Sequence, residues 1–423
     1  MKNIQKIAMA VSFALSLSVF GFGQVSFNEI KATNANGNST TALNNSSQAL
    51  ANSGTTTSKD ISIWSRATGF SDIGMNSANS TGAAINNSGV VAGAVNSSGL
   101  SEAFVYQPGH GIEWLGSLGS GMSVASGINN AGAVVGLSYN GVDEQHAFLW
   151  TEADGMQDLT PDLTSIGGAT ATGINSSNEV VGYYFANGSR TSNAFSWTAD
   201  GGFQSFGASG TLAFAVNDAG TIVGQATNHG GYQHAFMWAG GAATDLGTLG
   251  GASSRAYSIN KNGWVVGTSL TTATTGIVHA FLWTPTGGIQ DLTMLAGLAK
   301  GLQPYSVQVN DYGVVAMSSN KGLELLSPKM YATLTSSQNP SIVGQPVTFT
   351  TTVTSIAGPP PDGELVTFTV NGVLFGSVPL SGGVAQLTTS AIPSGPHMVV
   401  VKYVGDANYL PNSYEAIQQQ VNP

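Results

Sequence analysis

The most constraining feature of the chain is a cassette that returns every forty-odd residues. In its clearest copy, Ser258-Ile259-Asn260-Lys261-Asn262-Gly263-Trp264-Val265-Val266-Gly267 is followed by His279-Ala280-Phe281-Leu282-Trp283 and then by Gly288-Ile289-Gln290-Asp291-Leu292. The turn asparagine recurs as Asn86, Asn129, Asn175, Asn217, Asn260 and Asn310, at separations of 43, 46, 42, 43 and 50 residues. A period of about 40–45 residues is that of a propeller blade with four strands. Helical solenoids of similar period need apolar residues at i, i+3 and i+4, and that spacing is missing.

Each unit parses as four short strands. In the unit around Asn129 these are roughly residues 123–128, 133–139, 146–151 and 156–159. Asn129-Asn130-Ala131-Gly132 joins the first pair, and Asn and Gly tolerate the positive φ of a tight hairpin. The apolar pair Val134-Val135 returns as Val180-Val181, Ile222-Val223 and Val265-Val266. Strands apolar on both faces belong between neighbouring sheets. In His-Ala-Phe-Leu-Trp, Phe and Trp share one face while Ala and Leu take the other, so each sheet can pack on two neighbours.

The ends of the array predict its closure. Residues 61–75 resemble the third and fourth strands of a unit, and residues 305–317 resemble the first two. Joined, they make about six four-stranded blades and remove the exposed edges of a linear array. The segment Gly322-Leu323-Glu324-Leu325-Leu326 does not fit this scheme, because it could itself be a third strand.

Where the third strand opens with histidine (His146, His234, His279), the fourth carries aspartate (Asp158, Asp245, Asp291). Pairing Trp150 with Asp154, Trp238 with Gly241 and Trp283 with Gly287 sets each His directly opposite its Asp on one face. A cross-strand pair of this kind contributes roughly 0–1 kcal/mol when exposed. The alternative is half of a catalytic relay. Three copies, replaced elsewhere by Asn193 with Ser205 and by Glu102 with Trp114, favour the structural role.

Composition narrows the remaining possibilities. Only 8% of the 423 residues are charged, glycine numbers 56, and there is no cysteine. This fits turn-rich β-structure and removes disulfides, thiolate metal sites and cysteine nucleophiles. The net charge of −10, with no basic patch, argues against nucleic acid. Residues 1–24 read as a signal peptide: Lys2 and Lys6, an apolar run from Ile7 to about Phe22, then Gly23. No later stretch is long and apolar enough to span a membrane. Residues 25–58, rich in Asn, Ser, Thr and Gly, read as a flexible lead-in.

After Pro328 the pattern changes to tight alternation, as in Pro346-Val347-Thr348-Phe349-Thr350 and Leu365-Val366-Thr367-Phe368-Thr369-Val370. Several short strands between Gly, Pro and Asn turns describe a β-sandwich over residues 331–423. Gly405-Asp406-Ala407-Asn408 reads as a turn, since two oxygen side chains are too few for calcium.

His146-Ala147-Phe148-Leu149-Trp150, His234-Ala235-Phe236-Met237-Trp238, His279-Ala280-Phe281-Leu282-Trp283 and Asp245-Leu246-Gly247-Thr248-Leu249-Gly250-Gly251 resemble the HAF family of extracellular repeats. The resemblance covers about residues 61–328 and implies a bacterial secreted or surface protein, with no active-site residues to carry over. Gly344-Gln345-Pro346-Val347-Thr348-Phe349 and Tyr403-Val404-Gly405-Asp406-Ala407-Asn408-Tyr409 resemble bacterial Ig-like repeats, which implies a spacer or adhesive stalk. The expected architecture is all-β: a β-propeller over residues 59–328 followed by an Ig-like β-sandwich. No catalytic constellation, metal site or cofactor motif is found. Acids outside the repeat pattern are Asp143, Glu144 and Asp154. The expected function is a non-catalytic surface interaction or adhesion module for a carbohydrate or protein of unknown identity. The alternatives are an extracellular polysaccharide hydrolase or lyase and a purely structural spacer.

Overall fold

Each cassette folds into one antiparallel sheet whose four strands follow chain order. The structure, a computed structural model, describes residues 27–32, 39–54, 59–74, 79–97, 99–141, 144–160, 166–272, 276–298, 300–411 and 414–423. Sheet I holds Ser39–Leu43, Ala49–Gly54, Lys59–Ser65 and Gly69–Asp72. Sheet II runs from Ser80 to Gly116, sheet III from Gly119 to Asp158 and sheet IV from Ile166 to Phe206. Sheet V runs from Leu212 to Gly247 and sheet VI from Gly250 to Asp291. Sheet VII combines Pro304–Val309, Val315–Ser319 and Gly322–Pro328 with Phe27–Ala32 from the opposite end of the chain. First strands of successive sheets lie side by side, those of sheets VII and I included, so the array is a closed, propeller-like ring.

The closure differs from the expectation of about six units. Residues 61–75 do not join 305–317; they complete sheet I with strands from 39–54, a stretch expected to be flexible. Residues 27–32 are also a strand, pairing Phe27 with Pro328 and Ala32 with Leu323. Gly322–Pro328 is the third strand of sheet VII. The lead-in segments need few large apolar residues because neighbouring sheets supply the rest of the core. Leu50 packs against Ile61 and Phe104, and Ala49 against Trp64 and Leu325. The proposed signal segment, residues 1–24, lies outside the described residues.

The core sits between the sheets. Phe148 and Trp150 of sheet III pack toward sheet II, against Ala92, Ala103 and Val105. Ala147 and Leu149, on the other face, pack toward sheet IV with Ala169, Val180 and Phe195. Gly136 stands opposite Phe148, and a Cβ there would collide with the Val124 carbonyl and lie 2.9 Å from the Phe148 ring. The Val-Val-Gly of the second strand therefore seats the phenylalanine of the third.

Residues beyond 330 form a sandwich. A sheet of Tyr331–Ser336, Val347–Thr354 and Val384–Thr389 faces a five-stranded one of Ser341–Ile342, Tyr414–Asn422, Gly395–Tyr403, Leu365–Val370 and Val373–Pro379. Phe349 and Val353 meet Val366, Phe368 and Val401 in its core.

Candidate functional site

The alternation of strand direction gives the ring two unlike ends. Turns between first and second strands, and between third and fourth, lie at one end. Connections between second and third strands, and the links from sheet to sheet, lie at the other.

At the first end the turn asparagines form a closed circle. Asn86 donates from Nδ2 to the Asn129 carbonyl at 3.2 Å, Asn129 to Asn175 at 3.0 Å, and Asn175 to Asn217 at 3.1 Å. Asn217 donates to Asn260 at 3.1 Å, Asn260 to Asn310 at 3.0 Å, and Asn310 to the carbonyl of Asn44 at 3.1 Å. Asn44 returns the bond to Asn86 at 2.9 Å. Each Oδ1 accepts two backbone N–H groups of its own turn, as Asn217 does from Ala219 and Thr221. Asparagine alone combines this acceptor pair with an amide donor on so short a side chain. Asn44 was not expected among the turn residues; its turn ends on Ser47, which holds φ 53° without the usual Gly or Asn.

The next residue of each turn begins a second circle. Asn45 N–H bonds Asn87 Oδ1, Asn87 bonds Asn130, Ser176 bonds Asp218, Lys261 bonds Asp311, and Asp311 bonds Asn45. It breaks where the acceptor would have to be Ser176 or Lys261, whose side chains are too short or lack an acceptor. The hub encloses a polar cavity of about 240 Å³ lined by both circles.

The sandwich docks on this end. Asn408 Oδ1 accepts from Ser47 Oγ at 2.7 Å and from Asn310 Nδ2 at 3.1 Å, and its carbonyl accepts from Ser327 Oγ at 2.6 Å. Tyr409 donates its hydroxyl to the Tyr312 carbonyl at 3.2 Å, and burial pushes that hydroxyl's pKa up, so it stays a donor. Asp406 Oδ1 accepts the N–H groups of Asn408 and Tyr409, so the turn's oxygens are occupied within the fold. Burial and the neighbouring Asp406 raise the pKa of Glu364, which accepts the Tyr403 hydroxyl at 3.2 Å.

At the opposite end the His–Asp sets come together. His146 Nδ1 lies 3.0 Å from Asp158 Oδ1, His234 Nδ1 2.9 Å from Asp245 Oδ2, and His279 Nδ1 2.7 Å from Asp291 Oδ2. Their register differs from the expectation. Asp158 stands opposite Phe148, Asp245 opposite Phe236 and Asp291 opposite Phe281, so each histidine is a diagonal neighbour two residues on. The hairpins close later than expected, pairing Trp150 with Met156 rather than Asp154, Trp238 with Ala243 and Trp283 with Ile289. Diagonal side chains on one face still reach each other.

Of the acids outside the repeat pattern, the two that are described, Glu144 and Asp154, do not form a pair. Glu144 precedes the strand Gln145–Thr151 and Asp154 follows it. At about 3.3 Å per residue their positions lie roughly 20 Å apart, against the 5–10 Å of a glycosidase pair. Asp143 lies outside the described residues. Among the described residues no group of three or more His, Cys, Asp or Glu could hold a metal, and no helix is long and apolar enough to cross a membrane.

Two departures from the repeat pattern were not anticipated. Phe214 and Tyr257 occupy the bulged position of their first strands, where the small residues Ala83 and Ser126 stand in sheets II and III. Arg255 lies over both rings, at 5.3 and 6.0 Å, and donates from Nε to Gln225 at 2.8 Å. The second is a cavity of about 510 Å³ between sheets IV and V, walled by Phe236, Trp238 and Ala243. Both are visible in the repeats as large residues at small positions or the reverse.

Comparison with known proteins bears chiefly on the C-terminal part. Residues 334–422 match the bacterial Ig-like domain (group 3). No curated protein matches the chain. Among solved structures, the chain is similar to the extracellular domain of a hybrid two-component system protein of B. thetaiotaomicron, at 11% identity and a TM-score of 0.41. That match covers 94% of this chain but only 58% of the other, so this chain spans little more than half of its length. A virginiamycin B lyase from Staphylococcus aureus matches at 12% identity and a TM-score of 0.48, covering 71% of this chain and 98% of that one. A streptogramin B lyase matches at 12% identity and a TM-score of 0.47, over 73% and 99%.

Proposed function

We propose that the chain is a secreted or cell-surface interaction protein without catalytic activity, built as a seven-bladed propeller of HAF-type repeats. In this reading the end opposite the asparagine circle is the binding face. One observation carries it. Of the seven large apolar side chains exposed on the ring among the described residues, six belong to that end: Leu100, Trp114, Tyr232, Ile277, Met294 and Tyr305. Tyr232 is 55% and Tyr305 58% exposed. Exposed aromatic and aliphatic residues gathered at one end are what an interaction surface needs. The other end has spent its polar groups on its own ring and carries the sandwich, which orients the ring on whatever bears it. The His–Asp pairs serve here as cross-strand ties.

The test is an array of glycans and surface proteins probed with the chain and with a Tyr232→Ser/Tyr305→Ser variant. Binding should fall at least about tenfold in the variant with its melting temperature kept, the loss expected from two exposed aromatic contacts. Release of sugar from a bound glycan would replace this reading with the hydrolase or lyase one. Undiminished binding by the variant would place the contact elsewhere.

A further inference from the structure

The cavity between sheets IV and V arises from three coincident truncations. The residue opposite the third-strand Trp or Tyr is Phe70, Ile112, Met156, Phe203 and Ile289 in sheets I, II, III, IV and VI, but Ala243 in sheet V. The link into sheet V is also the shortest of its kind. Five positions separate Phe206 from Thr211, against eight from Leu115 to Ser123 and eight from Leu246 to Ser254.

The links into sheets III and VI each insert a second leucine, Leu118 and Leu249, which packs with the phenylalanine and tryptophan of the following sheet. Their backbone N–H groups bond Ser138 Oγ and Ser269 Oγ at 2.9 and 2.8 Å. In sheet V the corresponding position is Ala226, and no leucine enters. The consequence is visible on the aromatic wall. Phe148 and Phe281, beside those leucines, are fully buried, whereas Phe236 is only half-buried.

Phe236 stacks on Trp238 at 5.8 Å, and Phe206 meets Trp238 edge-on at 5.4 Å, so the walls hold one another in place. Ala208, Ala226, Ala243 and the buried Thr211 line the rest, with Asn228 and Asp245 at the rim. Asp245 Oδ1 accepts from Gly247 N–H at 2.8 Å, and both carboxylate oxygens face His234 Nδ1. The carboxylate still has lone pairs for a donor arriving at the rim.

We infer that this cavity is a binding site for a branched aliphatic side chain, of leucine size, presented by a peptide segment of a protein partner. The sister sheets supply the argument for the occupant. In sheets III and VI the equivalent space is filled by Leu118 and Leu249, each carried on a link of backbone, and here that leucine is deleted while the aromatic wall that would contact it is kept. A peptide N–H beside the anchoring side chain meets the rim at Asp245. This assignment deepens the binding-face reading above, because the cavity opens at that end of the ring, and it names the partner chemistry.

The test uses the full chain with Ala methyl groups labelled, titrated with N-acetyl-leucinamide, with N-acetyl-glycinamide and with methyl glucoside. Saturable shifts at Ala226 and Ala243 with the leucine compound alone are expected. Ala243→Ile restores the side chain of sheet VI, so the variant should fold with an equal or higher melting temperature. Filling the space should weaken the leucine compound by at least about tenfold, the equivalent of roughly two lost methylene contacts. Absence of shifts in the wild type, shifts with the sugar instead, or leucine binding that survives Ala243→Ile would each overturn the site. The array separates this from the broader reading: array binding lost in Tyr232→Ser/Tyr305→Ser but unchanged in Ala243→Ile keeps the face and removes the pocket.

Discussion

The two ends of the ring are built from the same cassette and have taken opposite courses. At the asparagine end seven turns share one geometry, and each is held by the next, so a change in one turn disturbs two. At the other end no such circle joins the connections among the described residues, and lengths and residues differ from sheet to sheet. Regularity here reflects mutual constraint rather than importance for binding. Irregularity marks where the scaffold leaves a residue free to meet something else.

The sharpest way to break the first half of this comparison is Asn217→Asp. The substitution keeps the two bonds accepted from Ala219 and Thr221 but removes the donor to Asn260 and sets a buried carboxylate against a carbonyl. A loss of about 3 kcal/mol or more is expected in urea unfolding, since an unpaired buried charge is left behind. Asn217→Ala, which removes three hydrogen bonds without a charge, should cost about 2–3 kcal/mol. If the aspartate variant is no worse than the alanine one, the Nδ2 donors do not close the ring.

How much of this was readable beforehand depends on whether a residue's role is local. Asn86, Asn129, Asn217, Asn260 and Asn310 announce themselves through the Gly three positions later, because positive φ needs that residue; Asn178 serves after Asn175. Asn44 lacks the signal, and with it the first two strands of sheet I were missed. Those strands hold few large side chains and qualify as structure only because Ile61 and Trp64 of the third strand and Phe104 of sheet II complete the core around them. The strand Phe27–Ala32 was beyond reach for the same reason: its partner lies at the far end of the chain. The His–Asp sets were legible as residues but not in register: each hairpin pairs two residues later than expected, which keeps both side chains on one face but turns a direct pair into a diagonal one. The cavity was legible in principle, as Ala243 among five bulky counterparts.

A smaller effect tests whether the sandwich is part of the regular end or merely tethered to it. Asn408→Ala removes the acceptor for Ser47 and Asn310 while leaving the Asn310 bond to Asn44. A cost of about 1–2 kcal/mol is expected for two lost bonds at a buried site. In calorimetry, ring and sandwich should unfold together in the wild type and separate into two transitions in the variant. Two transitions already present in the wild type would mean that the docking contacts do not couple the domains.

The smallest expected effect lies at the variable end. His234 and Asp245 are partly exposed, and His234→Ala should cost no more than about 1 kcal/mol. Its neighbours share the load, because Asp245 keeps the Gly247 N–H and Asn228 keeps its own turn through Gly230 and Tyr232. The equivalent changes at His146 and His279 should be of similar size despite lower exposure of Asp158 and Asp291, since all three sets share one geometry. If His234→Ala alone abolished binding with stability kept, the pair would belong to the ligand site beside it rather than to the sheet. A uniform small loss at all three would leave the variable end with binding residues that stand outside the repeat, where the cavity and the exposed aromatics already lie.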